Sequence, residues 1–208
     1  MTPSSFPLER LARLLAGLFL FGIATCLMVR ANLGLSPWDV LAEGIAETTG
    51  LAFGLVIVLT GAAVLLLWWP LRLKPGLGTL LNALLIGPSA QLGLWLLPDF
   101  HVPWQQVAVF ASGLLLLSLA TGLYIGSRFG AGPRDGLMLG LNQRLGWPVW
   151  FARTVVEGSV LLAGWLLGGT VGVGTLAFAL LVGPLVGRAL RWLDSATPPP
   201  QPCPRPGR

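Results

Sequence analysis

The chain contains one pattern twice. Gly34-Leu35-Ser36-Pro37-Trp38-Asp39 returns 96 positions later as Gly130-Ala131-Gly132-Pro133-Arg134-Asp135, each time after a long apolar run and before a shorter, more polar segment. The same offset, without a gap, superposes Gly17-Leu18 on Gly113-Leu114, Ala24-Thr25 on Ala120-Thr121 and Trp69 on Trp165. Its best block places Gly76, Gly78-Thr79-Leu80, Ala83-Leu84-Leu85 and Gly87-Pro88 on Gly172, Gly174-Thr175-Leu176, Ala179-Leu180-Leu181 and Gly183-Pro184. About a third of the aligned positions are identical, and matched Gly, Pro, Asp and Thr are not what leucine-rich chance produces. An internal duplication requires two similar structural units.

The duplicated stretch is chemically a helix start. Ser36 or Gly132 suits the N-cap, and proline suits the first helical position because its missing N–H has no partner there anyway. Asp39 and Asp135 then set a carboxylate against the positive end of the helix dipole. Gly34, Pro37, Gly130 and Pro133 are therefore read as structural turns.

Apolar runs of about 20 residues separated by short joints are the pattern of an all-α polytopic membrane protein. Charged residues make up only 10% of the chain, too few to solvate a globular surface. The formal charge of +5 is no nucleic-acid footprint, because the cations stand singly at the ends of apolar runs. Two cysteines, Cys26 and Cys203, supply neither a disulfide framework nor a metal motif. With Lys74 the one lysine and abundant Ala, Gly and Pro, the composition points to a bacterial source.

The expected organisation is a cytosolic lead (1–10), a first membrane repeat (11–97), a linker (98–103), a second repeat (104–193) and a Pro-rich, disordered cytosolic tail (194–208). Arg10 and Arg13 before an apolar run resemble a signal peptide, but the segment recurs within the chain and is read as a retained first span. Charge decides how many spans there are. If the short segments after the Pro-Asp turns do not cross and the N-terminus is cytosolic, only Arg30 lies outside. Arg10, Arg13, Arg72, Lys74, Arg128, Arg134, Arg144, Arg153, Arg188, Arg191, Arg205 and Arg208 then lie on or near the cytosolic side. If the short segments cross, Arg72, Lys74, Arg128 and Arg134 join Arg30 outside. Six spans and two cytosolic termini follow. Three spans per unit is an odd number, so the repeats are expected to be inverted, as in many secondary carriers.

Glu157 is the sharpest single residue. It falls mid-way along the fifth span, where a charge costs about 2.5–3.5 kcal/mol on insertion scales, and its repeat counterpart is Gly61. Arg153 lies four residues earlier on the same helix face, so an ion pair and a coupling carboxylate are both open readings. Asp39 and Asp135 likewise either cap their own helices or, with Ser36 and Asn82, meet a solute; a cation or a zwitterion's amine suits them better than a simple anion. Gly172, Gly174, Gly183 and Gly187 read as sites of close helix approach. Gly87-Pro88 and Gly183-Pro184 read as breaks or kinks in the third and sixth spans. His101 reads as a surface residue, and Trp68, Trp69, Trp95, Trp104, Trp147, Trp150 and Trp192 as interfacial anchors. No nucleophile, base and oxyanion set can be assembled, and no cofactor motif is present.

At Ala31-Asn32-Leu33-Gly34-Leu35-Ser36-Pro37-Trp38-Asp39-Val40-Leu41, together with Arg72-Leu73-Lys74-Pro75-Gly76-Leu77-Gly78-Thr79, the chain resembles the YczE branch of the YczE/YyaS/YitT-type bacterial membrane proteins. The resemblance covers residues 10–193 and implies an integral protein of the bacterial cytoplasmic membrane. It brings no substrate, reaction or functional residues. The expectation is a non-enzymatic carrier of a small polar solute in the lipid bilayer. The alternative is a membrane accessory or scaffold protein supporting an enzyme or membrane complex.

Overall fold

The computed structural model describes residues 7–194. They form eight helices: α1 (Pro7–Ala31), α2 (Pro37–Thr49), α3 (Phe53–Leu71), α4 (Leu77–Leu96), α5 (Pro103–Gly126), α6 (Pro133–Leu145), α7 (Val149–Leu166) and α8 (Val173–Asp194). Six of them, all but α2 and α6, are long and apolar enough to cross a membrane. At 13 residues each, α2 and α6 are about 20 Å long, short of a hydrocarbon core of about 30 Å. Helix α1 is described from Pro7, inside the segment read as a lead, and carries Glu9 in its first turn. The tail with Cys203, Arg205 and Arg208 lies outside the described residues.

Local chemistry places the short helices. Pro37 opens α2 behind the N-cap Ser36, whose hydroxyl accepts the Asp39 N–H, and Gly50 closes it with φ 72° and an N–H donated to the Ala46 carbonyl. Pro133 opens α6 and Gly146 closes it at φ 67°, but Gly132 at the N-cap has no side chain to accept a first-turn N–H. The unusual backbone also recurs at the 96-residue offset. Positive φ occurs at Asn32 and Arg128, at Gly34 and Gly130, at Gly50 and Gly146, and at Arg72 and Gly168. Gly34 and Gly130, at φ 113° and 123°, take a conformation that a β-carbon makes costly.

Glycine contacts give the helix directions. A β-carbon on Gly17 of α1 would meet the Tyr124 backbone of α5, and one on Gly113 of α5 would meet Met28 of α1, so these two helices are antiparallel. Gly22 of α1 lies against Ile86, Ser89 and Ala90 of α4, and Gly93 of α4 against Cys26, so α1 and α4 are parallel. Gly54 and Gly61 of α3 meet Gly87 and Ala83 of α4, an antiparallel pair. With α1 and α4 parallel, the chain between them crosses once, through α3. A full crossing by α2 would reverse α4. In the second half α8 runs parallel to α5, with Gly174 beside Phe110 and Gly122 beside Ala189 and Leu193. The start of α1 and the end of α8 therefore share one face of the bundle.

The short helices exchange partners between halves. Gly44 of α2 packs on Gly164 and Leu167 at the end of α7, whereas Gly136 and Gly140 of α6 pack on Trp68 and Leu73 at the end of α3. The turns before them are clasped in the same crosswise way. Gly78 at the start of α4 donates its N–H to the Phe129 carbonyl at 2.9 Å, and Gly174 at the start of α8 donates to the Leu33 carbonyl at 2.7 Å. The Thr79 hydroxyl adds a bond to the Ala131 carbonyl at 2.7 Å. The close approach expected of Gly172 and Gly174 is thus to the other half's turn.

Both α4 and α8 continue as helix through Pro88 and Pro184, so of a break or a kink there the break is absent. Two readings of individual residues are corrected. A β-carbon on Gly183 or Gly187 would meet nothing within 4 Å, so these residues make no tight helix contact. Trp68 is no interfacial anchor: it is buried, and its indole N–H reaches the Pro133 carbonyl at 3.0 Å. The α3–α4 contact has no comparable counterpart between α7 and α8.

With lipid on one side and side chains on the other, such helices are held by close packing and not by apolar burial from water. Replacing Gly54 or Gly87 by Val forces α3 and α4 apart, a loss of about 1–3 kcal/mol by overpacking. Thermal unfolding of the purified protein should show a midpoint several degrees lower for both variants and unchanged for Gly183→Val.

Candidate functional site

The starts of α2 and α6 together line a cavity of about 360 Å³ whose wall also draws on α1, α5, α7 and α8. Ser36, Pro37, Trp38 and Asp39 line it from α2, Arg134, Asp135 and Met138 from α6, and Arg153 and Glu157 from α7. Phe21 of α1, Leu117, Thr121 and Ile125 of α5, and one face of α8 complete the wall. Proline fixes where each short helix begins, and the residue two beyond it, Asp39 or Asp135, thereby enters the cavity wall.

Asp39 is held from three sides. The Ser36 hydroxyl donates to its Oδ2 at 2.6 Å, and its own backbone N–H returns a bond to Ser36 Oγ at 3.3 Å. Its Oδ1 lies 3.9 Å from Arg134 Nη1, with side-chain exposures of 3% for the aspartate and 26% for the arginine. The Arg134 guanidinium also stands over the Trp38 ring, 5.0 Å from its centroid, a cation–π geometry. Motif positions 38 and 134, which differ between the two copies, are thus in contact with each other. The Trp38 indole N–H is buried with no hydrogen-bond partner in the described structure.

Asp135 accepts a hydrogen bond from the Tyr124 hydroxyl at 3.0 Å. The Arg153 Nε and Glu157 Oε1 lie 2.9 Å apart, so the i, i+4 pair forms and borders the cavity. Three carboxylates and two guanidiniums therefore line one pocket, from the buried Asp39 to the half-exposed Arg153. Each is far more costly to bury alone than as a member of such a set. The positive ends of both short helices add to the field that holds the carboxylates.

Of the residues picked out from sequence, Ser36, Asp39, Asp135 and Glu157 converge on this cavity, with Pro37 and Gly183. Asn82 does not line it; its Nδ2 lies behind Gly132, 3.3 Å from where a β-carbon there would be. Gly34 and Gly130 sit in the clasped turns, and Gly87 with Pro88 stays on the α3–α4 side. Arg134 and Arg153, read from sequence with the charges on or near the cytosolic side, both border the cavity. Arg30, expected outside, pairs with Asp99 and the Leu94 carbonyl at the α4–α5 joint. Tyr124 was missed. Its signal was that it is the only tyrosine in the chain, standing where the other repeat has Met28. Among the described residues no three His, Cys, Asp or Glu side chains are placed to hold a metal ion.

Residues 8–191 match a family model described as a family of unknown function, DUF6198. A relative in Haemophilus influenzae, described as an uncharacterized protein, is 41% identical over 83% of this chain and 79% of its own length. The uncharacterized membrane protein YczE of Bacillus subtilis is 33% identical over 81% of this chain and 79% of its own. The uncharacterized protein YyaS of the same organism is 29% identical over 82% and 87%. No solved structure matches.

The Asp39–Arg134 contact gives a measurable coupling. Arg134→Gln alone leaves a buried carboxylate without its counter-charge and should destabilise the protein by about 3–5 kcal/mol. Adding Asp39→Asn should recover part of that loss, with an interaction energy of about 0.5–3 kcal/mol in a double-mutant cycle of unfolding. Strictly additive losses would mean that the two side chains do not interact.

Proposed function

The chain belongs to the DUF6198 family and is an integral membrane protein, and on that premise we propose that it is a secondary carrier moving a small polar solute across the bacterial cytoplasmic membrane. One observation carries the proposal: the single cavity bordered by the starts of both short helices and by five charged side chains. Short helices that begin near the middle of a membrane protein present their positive ends and first-turn N–H groups to whatever occupies that point. A membrane accessory protein would also match the location, but it has no need of charges gathered in an interior space.

In this reading the two halves are inverted repeats, each of three spans and one re-entrant helix. The reading is supported by the antiparallel packing of α1 on α5, which align at the 96-residue offset, and by the recurrence of positive φ at that offset. It is also supported by the reciprocal clasps from Gly78 to Phe129 and from Gly174 to Leu33, each pair displaced from the other by the same offset. The charge distribution puts the face that carries Arg72 and Lys74 in the cytosol, together with both termini. In a background lacking Cys26 and Cys203, a cysteine at Lys74 should react with an impermeant maleimide only from the cytosolic side. One at His101 should react only from outside.

Asp39 and Arg134 form the fixed part of the site. Asp135 and Glu157 are the carboxylates offered to the solute or to a coupling cation. Uptake of small cationic and zwitterionic solutes by proteoliposomes should fall at least tenfold in Asp135→Asn and in Glu157→Gln. Glu47→Gln, outside the cavity, should leave it unchanged. Normal uptake in Asp39→Asn, Asp135→Asn and Glu157→Gln alike would remove the site assignment.

A further inference from the structure

The cavity has two unlike walls. Opposite the charged side chains, α8 presents Phe178, Val182, Val186 and Leu190, which follow one another at four-residue spacing along one helix face. A wholly polar solute has no favourable use for that wall. An apolar chain does.

The cavity also has an opening that its counterpart in the first half lacks. There, Gly54 of α3 and Gly87 of α4 touch backbone to backbone, and the Gln91 side chain accepts the Gly54 N–H at 3.0 Å. Shifted by 96 residues, these positions are Trp150, Gly183 and Gly187. No packing of that kind joins α7 to α8: α7 rests on α2 and α6, and α8 on α5. Gly183 and Gly187 border the cavity with nothing within 4 Å of where their β-carbons would be. Both α7 and α8 are long and apolar enough to cross a membrane, so in the carrier reading the gap between them opens toward lipid.

Charge then selects the head. Three carboxylates against two guanidiniums leave the side chains of the lining one formal negative charge in excess, and the positive ends of α2 and α6 already face carboxylates of their own, Asp39 and Asp135. An ammonium group neutralises it, and a further anion does not.

We infer that the ligand of this cavity is an amphiphile. Its ammonium-bearing head sits among Asp135, Glu157 and Asp39, and its apolar chain lies along α8 and leaves through the gap between α7 and α8. The inference rests on the carrier reading and narrows its small polar solute, at the same site, to an amine that carries an apolar chain. Two sources supply this chemistry: an aminophospholipid of the surrounding bilayer, and a dissolved amphiphilic amine.

The test is photolabelling of the full-length protein in phosphatidylglycerol nanodiscs with a dodecylammonium probe that carries a diazirine in its tail. Labelling should concentrate on residues 178–190. Excess dodecylammonium should compete; dodecanol, equally apolar, should not, and ethylammonium, equally charged, should compete at least tenfold more weakly. Asp135→Asn should reduce the labelling at least tenfold. So should Gly183→Leu, a variant with room for its side chain and hence with an unchanged unfolding midpoint. Suppression of labelling in phosphatidylethanolamine discs assigns the ligand to the bilayer, and persistence assigns it to a dissolved amine; both agree with the proposed chemistry. Labelling spread evenly over all spans, or insensitive to Gly183→Leu, overturns the inference. Competition by ethylammonium as strong as that by dodecylammonium also overturns it, yet leaves the carrier reading standing. Loss of the carrier reading shows itself separately, in uptake that ignores Asp135 and Glu157.

Discussion

Backbone that leaves the helix inside a membrane must find its hydrogen bonds within the protein, because lipid supplies none. The two turns before α2 and α6 have such partners within the protein, each in the other half. The Leu33 and Phe129 carbonyls cannot continue their own helices, so each accepts an N–H from the first turn of a span in the other half, Gly174 or Gly78. Only glycine lets the donating backbone come so close, which is why a β-carbon at Gly172 or Gly174 would strike Leu33 or Gly34. Neither half satisfies its own turn entirely by itself, and the two halves are interdependent for that reason.

This mutual clasp fixes where the short helices point. Once the chain has turned at Gly34 or Gly130 under a left-handed φ, proline commits it to a helix within three residues. The carboxylate two positions later is then delivered to the cavity wall whether or not anything binds there. Burying it requires partners, and the two copies find different ones. Asp39 takes a serine hydroxyl and, across the cavity, the arginine of the other motif; Asp135 takes the hydroxyl of Tyr124. The structural role of each aspartate at its own helix start and its role in the cavity are two consequences of one placement.

The sequence carried the frame of this molecule and little of the cavity's far wall. Apolar run lengths and charge placement gave the six long helices, and the 96-residue offset gave the short ones, because period and composition are local signals. The convergence of Ser36, Asp39, Asp135 and Glu157 was legible because a carboxylate in an apolar chain must be accommodated somewhere inside. Arg134 was not, since an arginine beside an apolar run is ordinarily a topology marker, and only the three-dimensional meeting of motif positions 38 and 134 gives it a partner. Gly183 and Gly187 misled for a related reason. Small residues on a span permit close approach but do not compel it, and no neighbour in the chain says whether a second helix arrives. Trp68 behaved likewise: a tryptophan near a span end has an apolar body and one donor, and here that donor reaches Pro133 inside the protein.

The two halves share a plan and differ where the plan would close. Gly54 becomes Trp150, Gly61 becomes Glu157, Gln91 becomes Gly187 and Trp38 becomes Arg134. In the first half the small residue sits on α3, where it lets α4 approach, and the polar side chain of Gln91 locks that approach by taking a backbone N–H. In the second half the bulk has moved to α7, the lock has been reduced to a glycine, and the residue facing the centre has gained a charge. Each change alone is a tolerable drift within a repeat. Together they take the helix pair out of contact and put charged groups beside the space that opens. Selection for stability alone favours the closed pair, whose packing is there to be copied from the first half. The asymmetry of the repeats is therefore concentrated where α7 and α8 part and where the charged side chains line the cavity.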